Sequence, residues 1–129
     1  MTGHPYVVTI GEILVEIMRS QVNVPLHRSG EFLGPYPSGA PAIFIDAIAK
    51  LGIGAGMIGC VGDDDFGRCV RDRLSDDGVD VSQVQVRKDK TTGVAFVTYF
   101  ENGDRKFLFH IADAAAAADS GRAIRRQLA

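Results

Sequence analysis

The sequence is poor in cysteine, in net charge and in long apolar runs, and each shortage removes a class of protein. Two cysteines, Cys60 and Cys69, are too few for a disulfide framework, and no cysteine or histidine partners stand at zinc-ligand spacing. Both are expected as buried free thiols in a reducing compartment. The formal net charge of −2 offers no basic field to nucleic acid or to an anionic membrane surface. No segment approaches the ~20 apolar residues of a spanning helix. The opening "MTGHPYVVTIGEILVEIMRS" lacks a basic stretch followed by an unbroken apolar run. The expectation is a soluble, cytoplasmic protein whose partner is a small molecule or another protein, with no nucleic acid and no membrane. Also missing are G-x-S-x-G, H-E-x-x-H and G-x-x-x-x-G-K-S/T. What is there is a globular composition, 46% hydrophobic and 23% charged, sufficient to bury the core of one domain.

"YVVTIGEILVEIM" opens with β-branched residues and predicts a buried strand at about 6–10 and an extended piece at 13–18, separated by Gly11. The stretch from 19 to 39 is rich in proline and glycine and reads as surface loops with short edge pieces. "APAIFIDAIAKLG" has the marks of a helix: Pro41 near its start, apolar Phe44, Ile45, Ile48 and Leu51, and Gly52 as the stop. "GAGMIGCVG" is apolar without helical period, hence a buried strand at about 55–61. "DFGRCVRDRLSDDG" predicts a helix at about 65–76 with Phe66, Cys69, Val70 and Leu74 on one side and Arg71 and Arg73 exposed. A strand at about 84–87 and a hairpin of "TTGVAFVTYF" and "RKFLFHI" follow. This alternation argues an α/β layered fold with a largely parallel central sheet.

Several stretches invite a chemical reading. Gly54, Gly56 and Gly59 spell G-x-G-x-x-G, yet they follow a helix and run into a strand. A dinucleotide cradle needs the reverse order, so tight packing of a buried strand is the preferred explanation. "PSGAP" is a better ligand turn, because Gly39 lets backbone approach a ligand and a helix starts just after it; an ordinary loop-to-helix junction explains it equally well. Asp63, Asp64 and Asp65 could hold Mg²⁺, but helix capping accounts for acids at this position more simply. Glu12 or Glu16 could bind a polar ligand or merely be solvated. His110 lies on an apolar strand and reads as a hydrogen-bonded core or rim residue, while His4 and His27 have no supporting constellation.

In order, "TIGEILVEIM", "GPYPSGAPAIFIDAIAKLG", "MIGCVGDDDFGRCVRDRLSDDGVDVSQV" and "TTGVAFVTYFENGDRKFLFHI" resemble the N-terminal part of the ribokinase-like (PfkB) carbohydrate kinases. The likeness runs from about Tyr6 to Ile111, and "PSGAPAIFID" is most similar to the tagatose kinases of that family, with fructokinases and 2-keto-3-deoxygluconate kinases next. The resemblance implies the N-terminal portion of a Rossmann-like three-layer core with a small β lid, the lid taking about 12–36 and 92–111. It implies ATP-dependent phosphorylation of a primary hydroxyl on a sugar, a ketohexose such as tagatose or a related sugar, and a possible homodimer through the lid. By the same resemblance the sugar contacts fall on Glu16, on the turn Ser38, Gly39 and Ala40, on Ile43, and on Phe96 and Phe109, with Phe107 in the same lid strands.

The sequence departs from that family in two ways. Its usual G-G-x-x-x-N pattern reads here with Ser38 for the first glycine and Ile43 for the asparagine, so one polar contact to the sugar is lost. The glycine-rich D-T-x-G-A-G-D segment, which carries the family's anion hole and aspartate base, does not occur. The implied ATP and Mg²⁺ belong to the intact enzyme, and this segment alone is expected to bind neither. It supplies no catalytic residue and should not turn over, because phosphoryl transfer depends on positioning and charge neutralisation around the transferring group. The alternative is a non-catalytic sugar-binding or dimerisation module. Residues 112–129, "ADAAAAADSGRAIRRQLA", read as an Ala- and Arg-rich tail unlike the family. Half of such a core is expected to expose an apolar edge and to associate.

Overall fold

The computed structural model of the chain describes residues 6–117. In chain order the elements are β1 (Val7–Ile10), β2 (Leu14–Arg19), β3 (Phe32–Ser38), α1 (Ala40–Lys50), β4 (Ala55–Gly62), α2 (Asp65–Asp76), β5 (Val79–Arg87), β6 (Gly93–Tyr99) and β7 (Arg105–His110), with a short 3-10 turn at Ala115–Ala117. His4 and residues 118–129 of the Ala- and Arg-rich segment lie outside the described residues.

The strands form two sheets rather than one central sheet. β1, β4 and β5 make a parallel sheet in the order β1-β4-β5, and β3, β2, β6 and β7 make a mixed sheet in the order β3-β2-β6-β7. The division occurs at Gly11, whose φ of +155° turns the chain out of the first sheet. β2 then pairs in parallel with β6, from Leu14 opposite Gly93 to Met18 opposite Val97. β3 and β7 flank that pair antiparallel.

β4 is buried at every position, which is why its sequence shows no alternation: both of its faces are covered. Its glycines serve packing. A Cβ at Gly59 would stand 2.8 Å from the Gly11 carbonyl oxygen and 2.9 Å from Ile13 Cδ1. β5 is longer than its sequence pattern suggested: Val79 and Asp80 already pair with Ala55 and Gly56 of β4, ahead of a register shift that leads into the pairing of Gln83 with Ile58.

Helix α1 buries Ala42 and Ile45 and half-buries Ile48 and Ala49. Phe44 and Leu51, expected on the same apolar face, are exposed at 51% and 75%. The 3.6-residue period explains this: small residues at 42 and 49 complete the stripe through Ile45, and Phe44 falls a quarter-turn away. Gly52, at φ +83°, ends the helix as expected and donates to the Ala49 carbonyl. α2 buries Val70 and Leu74 completely; Phe66 and Cys69 are half-buried, and Arg71 is half-buried where exposure was expected. Cys60 is buried and forms no disulfide, whereas Cys69 keeps partial access. The core joins Ile13, Val15, Ile45, Met57, Val61, Val70 and Leu74. On its outer side β1 pairs with no strand among the described residues, and Val8 and Ile10 are exposed there.

Candidate functional site

The site forms where β3 runs into α1. Ser38, the last residue of β3, lies opposite Leu14 on β2. Gly39 follows at φ +100°, and a Cβ there would stand 2.5 Å from the Glu12 carbonyl oxygen and 3.4 Å from Ile13 Cα. Glycine is required on both counts, and the close approach ties the start of α1 to the β1–β2 junction. Ala40 begins the helix. No side chain caps it, and the Ile43 N–H returns to the Gly39 oxygen at 2.9 Å. A helix start of this kind presents backbone N–H groups without intrahelical partners, suited to oxygen atoms of a ligand.

Beside this junction lies a cleft of about 240 Å³, walled by Tyr36 and Ser38 from β3, Ala42, Ile43 and Asp46 from α1, and Arg73 from α2. Ile43 is 55% exposed on its wall. The charged side is a network: Lys50 Nζ lies 3.4 Å from Asp46 and 3.6 Å from Asp77, and Arg73 Nε donates to Asp77 at 2.9 Å. Burial, followed by the neighbouring Asp77, raises the Asp46 carboxyl above its ordinary 3.8. The contact with Asp46, together with Arg73, lowers Asp77. Asp46 Oδ1 is buried and has no hydrogen-bond partner. Arg73 and Asp46 both line the cleft, so its wall presents a cation and a carboxyl group.

Glu16 sits mid-strand in β2, half-buried, opposite Tyr36 on β3 and Ala95 on β6; Ala95 in turn lies opposite Phe109 on β7. Directly opposed residues share a face, so Glu16, Tyr36 and Phe109 belong to one face of the mixed sheet. Phe107 stacks on Phe109 there, with centroids 5.3 Å apart. Phe96 does not join them. It is in register with Ile17 and Leu108 and lies on the opposite face, edge-on to Phe32 at 5.9 Å and to His110 at 5.7 Å. The two phenylalanines grouped by the sequence reading are thus separated by the two-residue strand period, and a single ligand cannot touch both from one side. His110 is exposed, not part of a core.

The acidic trio serves the helix start. Asp64 caps α2: it accepts from Gly67 N at 2.8 Å, Thr92 N at 2.8 Å and Thr92 Oγ1 at 2.6 Å. Burial pushes its carboxyl up, but these hydrogen bonds outweigh burial and hold it below 3.8. Among the described residues no group of three His, Cys, Asp or Glu is placed to hold a metal ion. The sequence reading missed Tyr36, Asp46, Arg73 and Thr92. Asp46, three residues after Ile43, lies on the same side of α1 and could have been found by helical spacing. Tyr36, two residues before Ser38, lies on the same strand and face and could have been found by the two-residue period; Arg73 and Thr92 come from elements remote in sequence and carried no signal.

The comparisons with known proteins converge on one family. The pfkB family carbohydrate kinase model matches residues 4–127, so the chain belongs to that family, and the match continues past Ile111 into the Ala- and Arg-rich segment. Fructokinase-1 of Zea mays is 39% identical over 108 residues, covering 84% of this chain and 33% of the relative. Among solved structures, an apo putative Ribokinase II from E. coli superposes with a TM-score of 0.91 at 49% identity, covering 95% of this chain and 39% of that one. A putative Ribokinase II from E. coli in complex with ATP and Mg²⁺ gives 0.82 at 53% identity, covering 86% and 35%. The chain spans about a third of the length of the curated relatives it matches.

Proposed function

We propose that the chain forms the sugar side of an ATP-dependent kinase that phosphorylates a primary hydroxyl of a ketohexose of the fructose or tagatose type. The observation that carries this reading is the Ser38-Gly39-Ala40 turn, pressed onto the 12–13 backbone and opening an uncapped helix start beside the cleft. In this reading the turn's N–H groups donate to sugar oxygens and Glu16 accepts from sugar hydroxyls. Phe109 lies against the ring on the Glu16 face, and Ile43 supplies an apolar contact where an asparagine would donate.

Neither the glycine triplet nor Asp64 offers a site to Mg·ATP. The glycine triplet lies at and within buried β4, and Asp64 is occupied by Thr92 and Gly67. ATP and Mg²⁺ are assigned to a full-length kinase by analogy with the putative Ribokinase II from E. coli in complex with ATP and Mg²⁺, about a third of which this chain covers. A reducing cytoplasm suits its two cysteines, which form no disulfide.

The test is calorimetric titration of the full chain with D-fructose and D-tagatose. Saturable binding to one of them, weakened about tenfold by Glu16→Gln, is expected from loss of one charge-assisted hydrogen bond. Absence of binding to either sugar by folded protein would overturn the reading. A lid-mediated homodimer is the second reading, favoured by the exposed stack of Phe107 on Phe109. Dimerisation without sugar binding, abolished by Phe109→Ser, would select it.

A further inference from the structure

Arg73 reaches the cleft from α2, an element remote in sequence from the Ser38-Gly39-Ala40 turn. Its Nε donates to Asp77, four positions on, at 2.9 Å, which anchors the guanidinium on one side. Neither terminal nitrogen, Nη1 or Nη2, makes a hydrogen bond among the described residues. The side chain is 53% exposed and borders the cleft, so a ligand there can reach its fork. Asp46, the other charged residue on the wall, offers less: one carboxylate oxygen is buried and the other lies 3.4 Å from Lys50 Nζ. Arg73 is thus the group of this network with donors to spare.

The same helix carries a matched comparison. Arg68 also sets its Nε near a carboxylate four positions on, Asp72 at 3.5 Å, but it is 82% exposed and borders a different cavity, with Asp63 and Val86. Five residues separate the two arginines, about 140° around an α-helix, so the pairing is common to both and the cleft belongs to Arg73. The network around the cleft holds two basic and two acidic groups, Lys50, Arg73, Asp46 and Asp77, and has no surplus charge to favour an anion. Pro37, Ala42 and Ile43 give the cleft an apolar surface. An apolar surface beside a planar two-pronged donor suits a neutral ring that shows C–H groups on one side and hydroxyl oxygens on adjacent carbons.

We propose that Arg73 is a sugar-binding residue of this cleft, donating through Nη1 and Nη2 to hydroxyl oxygens on adjacent carbons while the C–H side of the sugar lies on Ala42 and Ile43. It rests on the sugar-kinase reading and adds a donor from α2 to the contacts of β2, the turn and α1. Arg73 supplies hydrogen-bond donors on the cleft wall where the Ile43 side chain has none.

The experiment titrates D-fructose and D-tagatose calorimetrically into the full chain and into its Arg73→Gln, Arg73→Lys and Arg68→Gln variants, and follows the Arg73 side-chain N–H resonances during the wild-type titration. With the sugar that the wild-type chain binds, Arg73→Gln should weaken binding at least tenfold. Arg73→Lys, which keeps the charge and loses the fork, should weaken it at least threefold. Arg68→Gln should bind as the wild type does, and the Arg73 resonances should shift with the same saturation as the heat. If Arg73→Gln does not fold, Arg73→Lys and the resonance shifts decide. Wild-type binding that Arg73→Gln leaves unchanged, or resonances that stay in place, overturns the role of Arg73 and leaves the Glu16 and turn contacts standing. An equal loss in Arg68→Gln would mark a general effect of charge and overturn it as well. Absence of wild-type binding to either sugar overturns the sugar reading and this role with it.

Discussion

The parallel sheet with its two helices and the mixed sheet beside it divide stability and recognition between them. In the first, β4 is buried along its whole length, and Val61, Val70 and Leu74 retain at most 1% exposure. In the second, every residue of β7 and most of β3 are exposed, and Phe107, Leu108 and Phe109 lie open to solvent. Packing in the parallel half leaves almost no room for change, as expected for an interior at crystal-like density. The mixed half presents residues on its flanking strands β3 and β7, while β2 and β6 between them bury Val15, Ala95 and Val97. The candidate site lies between the two: its turn is locked onto the 12–13 backbone by the tight half's glycine packing, while Glu16, Tyr36 and Phe109 come from the open sheet.

The sharpest test of this division is a truncation in each half. Leu74→Ala should destabilise the chain by about 3–4 kcal/mol, the cost of a cavity in a closed core, measured by urea denaturation. Leu108→Ala should stay within about 0.5 kcal/mol, since it removes an exposed side chain. Equal effects would erase the contrast.

Gly62→Ala comes next. Its Cβ would meet the Lys90 oxygen and the Thr92 nitrogen at 2.6 Å, backbone atoms that cannot swing aside. A loss of about 2–3 kcal/mol is expected from such overpacking, with α2 the segment whose amide exchange accelerates most.

A smaller effect sharpens the link between the halves. Thr92, 3% exposed just before β6, donates to Asp64 and accepts from Gly62 N. Thr92→Val should cost about 1–2 kcal/mol at neutral pH. The same change alters acid stability in a definite sense. Asp64 is held below its ordinary carboxyl range in the folded chain, so its contribution is complete above that range and is lost as pH falls through the depressed value. Removing the Thr92 hydroxyl raises the folded value toward the unfolded one and reduces that contribution. Acid titration followed by circular dichroism should therefore show a shallower loss of Asp64-linked stability in the variant, starting from a lower plateau. Asp46 has the opposite sign: its raised carboxyl favours the fold below the ordinary range and loses that advantage as pH rises through the folded value. Asp46→Asn should flatten this part of the profile, with the smallest change in stability of the set.

The two halves also differed in how far sequence could be read. α2 was legible to its ends, because Asp64 caps it, its apolar positions keep a 3.6 period and Gly78 follows it. Gly59 of β4 was correctly read as a packing residue, and its order relative to the preceding helix excluded a cradle. Ser38, Gly39 and Ile43 were placed at one junction by the family pattern, and the structure gathers them there. The mixed sheet was less legible. That β2 leaves β1's sheet for β6, some 80 residues on, follows from no local pattern, and the register that separates Phe96 from Phe109 depends on that pairing.

Sequence by itself determined the elements, the caps, the buried glycines and the family, because these depend on spacing, backbone freedom and side-chain volume within short windows. Tertiary structure alone decided which strands share a sheet and which side chains share a face. It also decided that Asp46 meets Asp77 and that Arg73 borders the cleft from α2. Those outcomes depend on desolvation and contact between groups remote in the chain, and only the assembled fold sets both.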